Sequence, residues 1–240
     1  MREGFKSIFK RFSKKDTDEA VKLLEKRWKI NKLDINLIKD KKILDIGCGP
    51  GRYTVALKKM GAKEVIATDI FNISGKWHKD IKYVTSNLQK LPFKDNEFDF
   101  IFCNGSISHN KKWKSAIREY MRVLKPNGWL WLSLFGKGNH WKYCDKIRKK
   151  LKSKDAIDFE KALALRDWEA NKIFFLIDLF FIDRVYFTKE KINNFLKKCK
   201  FKKIIYLQRG ISKDLNEKIF NDPSLKKLYG EGEIRLIAKK

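Results

Sequence analysis

The stretch Ile43-Leu44-Asp45-Ile46-Gly47-Cys48-Gly49-Pro50-Gly51 constrains this chain more than any other. An apolar run of strand type ends in an acid, and three glycines then alternate through a turn. Tyr53 to Met60 continues with the pattern of a helix. Strand, glycine-rich turn and helix together make a nucleotide-binding construction. Glycines let a ligand approach the backbone where a Cβ would block it, and a helix start offers unpaired N–H groups to an anion. The spacing is G-x-G-x-G. A dinucleotide fingerprint requires glycine at 52, where Arg52 stands, and a P-loop requires Gly-Lys-Ser/Thr, which is absent.

A second β-rich run, Glu64-Val65-Ile66-Ala67-Thr68-Asp69, again ends in an acid. It lies at the distance beyond the glycines where such folds place a carboxylate on ribose hydroxyls. A carboxylate accepts several hydrogen bonds at once and so can hold a vicinal diol. Either acid alone could equally be a strand-end residue capping the next helix; the two acids together with the glycines point to a ligand site. Further along, Ile81–Thr85 and Phe98–Cys103 read as strands three and four, and residues 111–124 as a helix. Pro126-Asn127-Gly128 turns the chain into the apolar run Trp129 to Phe135, a strand buried on both faces. Asp16 with Glu19 suggests a capping box opening a helix from Thr17 to Trp28, and a short helix is expected near residues 33–39. Thr188 is expected to cap a helix through Lys198, with a final hairpin of 201–208 and 233–238. Alternating helices and strands predict an α/β fold, doubly wound, with a mostly parallel sheet and helices on both faces.

Residues 41–135 resemble a class I S-adenosylmethionine-dependent methyltransferase of the "methyltransferase type 11" group. The resemblance rests on five motifs in order: Leu44 to Gly51; Ala67-Thr68-Asp69-Ile70; Asn87-Leu88-Gln89-Lys90-Leu91-Pro92-Phe93; Phe98 to Asn104; and Val123-Leu124-Lys125-Pro126-Asn127-Gly128. It implies a Rossmann-like sheet of seven strands, the last antiparallel, and S-adenosyl-L-methionine as cofactor. It implies cofactor-binding roles for Asp45, Gly47, Cys48, Gly49, Gly51, Asp69, Ile70, Asn87, Leu88 and Asn104. The glycine loop would pass under the amino acid part, with Asp45 orienting the loop and the ammonium group. Asp69 would hold the ribose and Ile70 would pack on adenine. Asn87 stands where the family usually has aspartate, and its side-chain carbonyl offers the adenine amino group an uncharged acceptor. Asn104 would face the methionine part and the methyl acceptor. Phe71 to Lys79, broken by Gly75, is expected to be a loop or a single helical turn where the family has a helix.

The expected reaction is in-line methyl transfer, in which the protein positions the reactants and keeps the pocket dry. A base is needed only for an acceptor that keeps its proton, and His109 is the catalytic candidate. A loop histidine satisfied by a backbone carbonyl is the competing reading. His140, Tyr143, Arg184 and Tyr186 are secondary candidates. Residues 1–40 read as a helical extension and 41–240 as the methyltransferase domain, with 140–190 inserted as a helical lid. The four cysteines show neither metal-like spacing nor a disulfide framework, so no metal and a reducing cytoplasm are expected. The apolar run 173–182 contains Asp178 and is too short to span a bilayer.

The acceptor is expected to be a small molecule or lipid. The family's Asp/Asn-Pro-Pro-Tyr/Phe motif for base amines is replaced here by Asn104-Gly105-Ser106-Ile107. The net charge of +27 raises RNA as the alternative acceptor. Lysine outnumbers arginine 45 to 11, however, and the excess is spread along the chain. Its densest cluster runs from Lys142 to Lys154, directly after strand five. Phe5, Ile8, Phe9 and Phe12 share a helical face opposite basic residues, so residues 1–16 could lie on an anionic membrane or pack over the chain's own site. A catalytically silent module that uses the same fold for binding is the remaining alternative.

Overall fold

The computed structural model describes residues 7–72, 80–152 and 155–240. Seven strands form one sheet: β1 (Lys42–Ile46), β2 (Glu64–Asp69), β3 (Lys82–Thr85), β4 (Phe98–Asn104), β5 (Leu124–Phe135), β6 (Lys203–Tyr206) and β7 (Glu233–Lys239). Their order is β3-β2-β1-β4-β5-β7-β6. β7 alone runs antiparallel, against β5 on one side and β6 on the other. The expected doubly wound architecture and its final hairpin are therefore present. The expected segment after Asp69 falls largely on residues 73–79, which lie outside the described residues.

Strand alternation builds two cores. Leu44, Ile46, Leu130, Leu132 and Leu134 face one side. There they meet Trp113, Ile117 and Tyr120 of α3 (Trp113–Val123) and Ile192 and Leu196 of α7 (Lys189–Lys198). Ile43, Val65, Phe100, Phe102 and Trp131 face the other side. There they meet Leu24 and Trp28 of α1 (Lys14–Ile30) and Ala56 and Leu57 of α2 (Arg52–Lys59). Trp28 stacks on Trp131 with centroids 5.8 Å apart.

α1 begins earlier than Thr17. Ser13, not Asp16, is its N-cap: Asp16 N–H donates to Ser13 Oγ at 3.3 Å, and Ser13 N–H donates to Asp16 Oδ2 at 2.8 Å. Asp16 is thus the third helical residue of the box rather than its first member. Thr188 caps α7 as its position suggested, accepting from Lys191 N–H at 3.1 Å.

Between β5 and α7 the chain inserts α4 (His140–Lys150), α5 (Asp155–Ala164) and α6 (Ala170–Phe181). The apolar residues of the amino-terminal segment turn inward against this insertion. Ile8 and Phe12 are buried with Ile173 and Ile177 of α6, and Arg11 pairs with the buried Glu160 of α5. Of the two expectations for this segment, the described part (residues 7–16) shows packing onto the chain itself. Among the described residues, no helix is long and apolar enough to cross a membrane.

Candidate cofactor site

β1 and β2 run parallel with Ile46 opposite Thr68, so their carboxyl ends deliver the glycine loop and Asp69 side by side. Gly47 N–H and Cys48 N–H both donate to Thr68 O, at 2.7 and 3.1 Å. Gly49 N–H donates to Asp69 Oδ2 at 2.9 Å, and Phe71 N–H to Oδ1 at 3.2 Å. Asp69 therefore fixes the loop before any ligand arrives. Each of its oxygens keeps acceptor capacity for a hydroxyl. Burial pushes its carboxyl up, and these N–H groups oppose the shift.

The three glycines have φ of +69°, +54° and +81°, the left-handed region that L side chains avoid. Space forbids side chains as well. A Cβ on Gly47 would overlap Ser106, whose hydroxyl donates to Ile46 O at 3.0 Å. A Cβ on Gly51 would lie 2.6 Å from the Tyr83 hydroxyl. Gly47→Ala is expected to cost roughly 2–4 kcal/mol from backbone strain plus overlap. Adding Ser106→Gly should relieve the overlap but not the strain. Urea denaturation of the two variants checks this, and a Gly47→Ala protein as stable as wild type would overturn it.

Asp45 lies beneath the loop, 2% exposed, and accepts from Thr54 Oγ1 at 2.6 Å. Burial pushes its carboxyl up to about 7; the Thr54 hydroxyl opposes this and Asp69 adds to it. Because the folded value lies above the unfolded one, the protonated form is favoured in the native state. The resulting stability is full below about pH 4 and is lost as pH rises through 7. Asp45→Asn should remove this dependence. The stability difference between pH 5 and pH 8, roughly 2–4 kcal/mol from this group, is read from urea midpoints of both proteins. Parallel pH profiles would refute it.

The remaining expected residues are distributed around this centre. Ile70 is 44% exposed directly after Asp69. Asn87 Oδ1 accepts from Gln89 N–H at 3.0 Å in a tight turn, and Leu88 packs against the larger core. Asn104 ends β4 beside Ser133 of β5. The Cys48 thiol is buried and pushed well up by that burial, which makes it a small filler rather than a nucleophile. Cys48, Asp69, Phe71 and Tyr83 help line a cavity with room for about one water. The Tyr83 hydroxyl is buried without a hydrogen-bond partner among the described residues.

The sequence reading held packing of residues 1–16 over the chain's own site as an alternative without naming its contacts, and the ties of Arg52 lay beyond it. Phe9 covers the loop: a Cβ on Gly49 would lie 3.3 Å from its ring, which meets Phe71 edge-on with centroids 5.9 Å apart. Arg52, the residue that breaks the dinucleotide fingerprint, stacks its guanidinium 4.1 Å from the Phe12 ring centre and bonds Asn171 of α6. Asn171 in turn donates to Asp16 of α1 at 2.8 Å. Arg52 thus joins the loop helix, the amino-terminal segment and the insertion.

His109 lies past the carboxyl end of β4, in a 3-10 turn (Ser106–His109). Its Nδ1 is 3.3 Å from Asp183 O, and its Nε2 is 3.1 Å from Asp178 Oδ1 on α6. A carbonyl oxygen only accepts, so Nδ1 is the donor there, and Nε2 faces a carboxylate. In this arrangement His109 ties α6 to the end of β4; action as a base requires that tie to open. Burial pushes the Asp178 carboxyl up, but His109 and Arg184 outweigh it and hold it below the usual range. Arg184 stacks over Phe135 at 4.4 Å and Trp141 at 4.9 Å. The Tyr186 hydroxyl donates to Asp145 at 2.8 Å, and His140 Nδ1 is 3.4 Å from Leu228 O. Tyr143 points outward, 66% exposed.

The family model described as "Methyltransferase domain" matches residues 44–132, from β1 through most of β5. The chain belongs to the class I S-adenosylmethionine-dependent methyltransferases. An uncharacterised protein of Methanocaldococcus jannaschii, MJ0638, is 30% identical over 171 residues, covering 68% of each chain. The tRNA U34 carboxymethyltransferase of Nautilia profundicola is 32% identical over 42% of this chain and 36% of its own length. A demethylmenaquinone methyltransferase of Staphylococcus aureus is 32% identical over 40% of this chain and 43% of its own length. The chain thus spans less than half of these two functionally named methyltransferases. In fold it resembles the crystal structure of BH2331 from Bacillus halodurans, with TM-score 0.57 and 18% identity, covering 90% of this chain and 98% of that one.

S-adenosyl-L-methionine is the cofactor of this methyltransferase class, and the residues present fit it. Three left-handed glycines hold the loop close against Ser106, Phe9 and Tyr83, where a Cβ would meet those side chains, so its bare backbone ends at the carboxyl edge of β1. A carboxylate with spare acceptor capacity stands at the end of β2, and an exposed apolar residue follows it. The Tyr83 hydroxyl, without a partner among the described residues, faces the same loop.

Proposed function

We propose that this chain transfers the methyl group of S-adenosyl-L-methionine to an acceptor that enters over the carboxyl ends of β4 and β5. The observation that carries the reading is Asp69, which is hydrogen-bonded to the glycine loop it would share with the cofactor. When bound, the cofactor supplies a methyl carbon activated by a sulfonium. Asp69 would accept from the ribose hydroxyls, and the Gly47–Gly51 backbone would pass beneath the amino acid part. Asp45 would face the ammonium group, and Ile70 would lie against adenine. Asn104 stands where cofactor and acceptor meet. Phe9 and Phe71 exclude water from the loop, which favours a displacement that needs positioning more than acid–base help.

Two acceptor readings have support. The demethylmenaquinone enzyme among the relatives supports a small-molecule or lipid-like acceptor, as does the lack of a base-amine motif after β4. The tRNA enzyme among the relatives supports an RNA acceptor, and a basic face beside β5 favours it within this chain. Calorimetric titration of S-adenosylhomocysteine tests the common core. Saturable binding to the folded protein is expected, and its absence would sink the enzyme reading.

A further inference from the structure

The carboxyl edge of the sheet carries a second concave surface, well apart from the glycine loop. Gly136 and Gly138 follow β5, and α4 starts at His140. The Trp141 indole N–H donates to Gly136 O at 2.8 Å, which anchors the helix. The inward side of α4 uses its own charges internally. Asp145 pairs with Arg148 and accepts from the Tyr186 hydroxyl, and Arg148 donates to Leu179 O at 2.7 Å. Its outward side therefore presents Lys142, Lys146, Lys149 and Lys150, with Tyr143, and no acid. Among the described residues none of these lysines forms an ion pair.

The facing wall is the turn Pro223–Leu225 and the short helix Lys226–Tyr229. Asn139 Nδ2 donates to Lys227 O at 2.9 Å, and the His140 and Tyr229 rings meet with centroids 5.1 Å apart. These contacts hold the two walls together. Between them lies an open groove of about 520 Å³, lined by Asn139, Lys142, Tyr143, Leu225, Lys227 and Leu228 together with Ser224. Among the described residues no carboxylate lines it. An exposed phenol ring and two leucines form its apolar surface, and ammonium groups stand on both walls.

Such a surface suits a ligand that carries flat apolar faces and regularly spaced negative charge. Nucleobases stack on an aromatic ring while lysines neutralise the phosphates. A duplex hides those faces, and a bilayer fits a convex apolar surface better than a concave groove. Asn139 gives its amide N–H to Lys227 O, so its Oδ1 remains as an acceptor for a 2′-hydroxyl, the group that separates RNA from DNA. We propose that the groove between α4 and residues 223–229 is a docking surface for single-stranded RNA. It opens on the same edge as Asp69 and Asn104, about three strand spacings from β1, or roughly 15 Å. An RNA held there has its neighbouring nucleotides beside the acceptor end. As an acceptor subsite this rests on the methyltransferase reading; as a binding surface it does not.

The test is fluorescence anisotropy of the full chain with a labelled 12-nucleotide oligouridine RNA and its deoxy counterpart, titrated across salt. Wild type should bind the RNA more tightly than the DNA. Tyr143→Ala should weaken binding at least fivefold with the salt slope unchanged. Lys142→Ala/Lys146→Ala/Lys227→Ala should lower that slope by about 2. Lys22→Ala/Lys26→Ala/Lys29→Ala removes the same charge from the exposed side of α1 and should leave affinity within twofold. S-adenosylhomocysteine titration should be unchanged in every variant, so a failed cofactor reading shows separately. The proposal is overturned if the α1 variant loses as much as the groove variant, or if Tyr143→Ala has no effect. Equal affinity for RNA and DNA also overturns it. So does binding by the groove lysines to anionic phosphatidylglycerol vesicles with no RNA binding at 100 mM salt.

Discussion

Asp69→Ala should raise the dissociation constant for S-adenosylhomocysteine about 100-fold while leaving the protein folded. The substitution removes the acceptor for the ribose hydroxyls. It also frees Gly49 N–H and Phe71 N–H, which Asp69 holds at 2.9 and 3.2 Å. Hydrogen bonds to a charged group contribute about 1.5–3 kcal/mol each, and a net loss near 3 kcal/mol corresponds to roughly two orders of magnitude in affinity. Asp69→Asn should fall between the two. Its carbonyl oxygen can replace one acceptor, but its amino group presents a donor where the protein supplies another donor. Calorimetry reads all three proteins, with circular dichroism confirming the fold. A dissociation constant for Asp69→Ala within threefold of wild type would falsify this placement of the ribose.

Asp214→Ala should have the largest effect on stability. Asp214 follows β6 and accepts from Arg27 of α1 through Nε at 3.0 Å and Nη2 at 2.7 Å. It also accepts from Arg235 of β7 at 2.7 Å. All three side chains are under one-tenth exposed. Arg235 is further tied to Glu233 and Asn216, and Arg27 donates to the Tyr53 hydroxyl at 3.2 Å. Removing the carboxylate leaves two guanidiniums facing each other in a desolvated pocket, at a cost of about 3–5 kcal/mol. Burial pushes the Asp214 carboxyl up, but Arg27 and Arg235 outweigh it and hold it below the ordinary value. Its contribution is therefore present above about pH 4 and lost as pH falls through the lower folded value. Urea unfolding at pH 7 should show the full loss, and the variant should lack this part of the wild-type decline in acid. A loss under 1 kcal/mol at pH 7 would contradict this account.

What could be read from the sequence was whatever short-range chemistry encodes. The glycine alternation, the two strand-end acids, the Thr188 cap and the buried β5 run each need only a few neighbouring residues, and the structure places them as expected. The capping box was misread by three positions because Asp16 suits the first and the last place of such a box almost equally; Ser13 decides it. The longer-range pairings were not legible. His109 meets Asp178, Arg52 meets Asn171, and Arg27 meets Asp214 across 187 residues. Such pairs leave no periodic trace, since any surface arginine or aspartate looks the same in one dimension. Asp178 did leave a signal, an acid inside an apolar helix, but its partners did not. Phe9 and Phe12 showed an apolar face for which packing over the chain's own site was one of the readings, but nothing in the sequence named Ile173 and Ile177 as its partners.

The strand order also has a consequence for synthesis. β7 is translated after β6 yet lies between β5 and β6. Until residues 233–239 leave the ribosome, β5 has an open edge and β6 has no neighbour with which to pair. At ~5–20 residues per second, β5 waits about 5–20 s after its own synthesis and β6 about 2–7 s. The nascent chain then carries an exposed apolar strand, Trp129 to Phe135, which invites pairing with other chains. The same wait delays the α1 contacts, because Trp28 shares its cluster with Ile237 and Arg27 shares Asp214 with Arg235. The contacts of α1 are therefore completed only once β7 has been made.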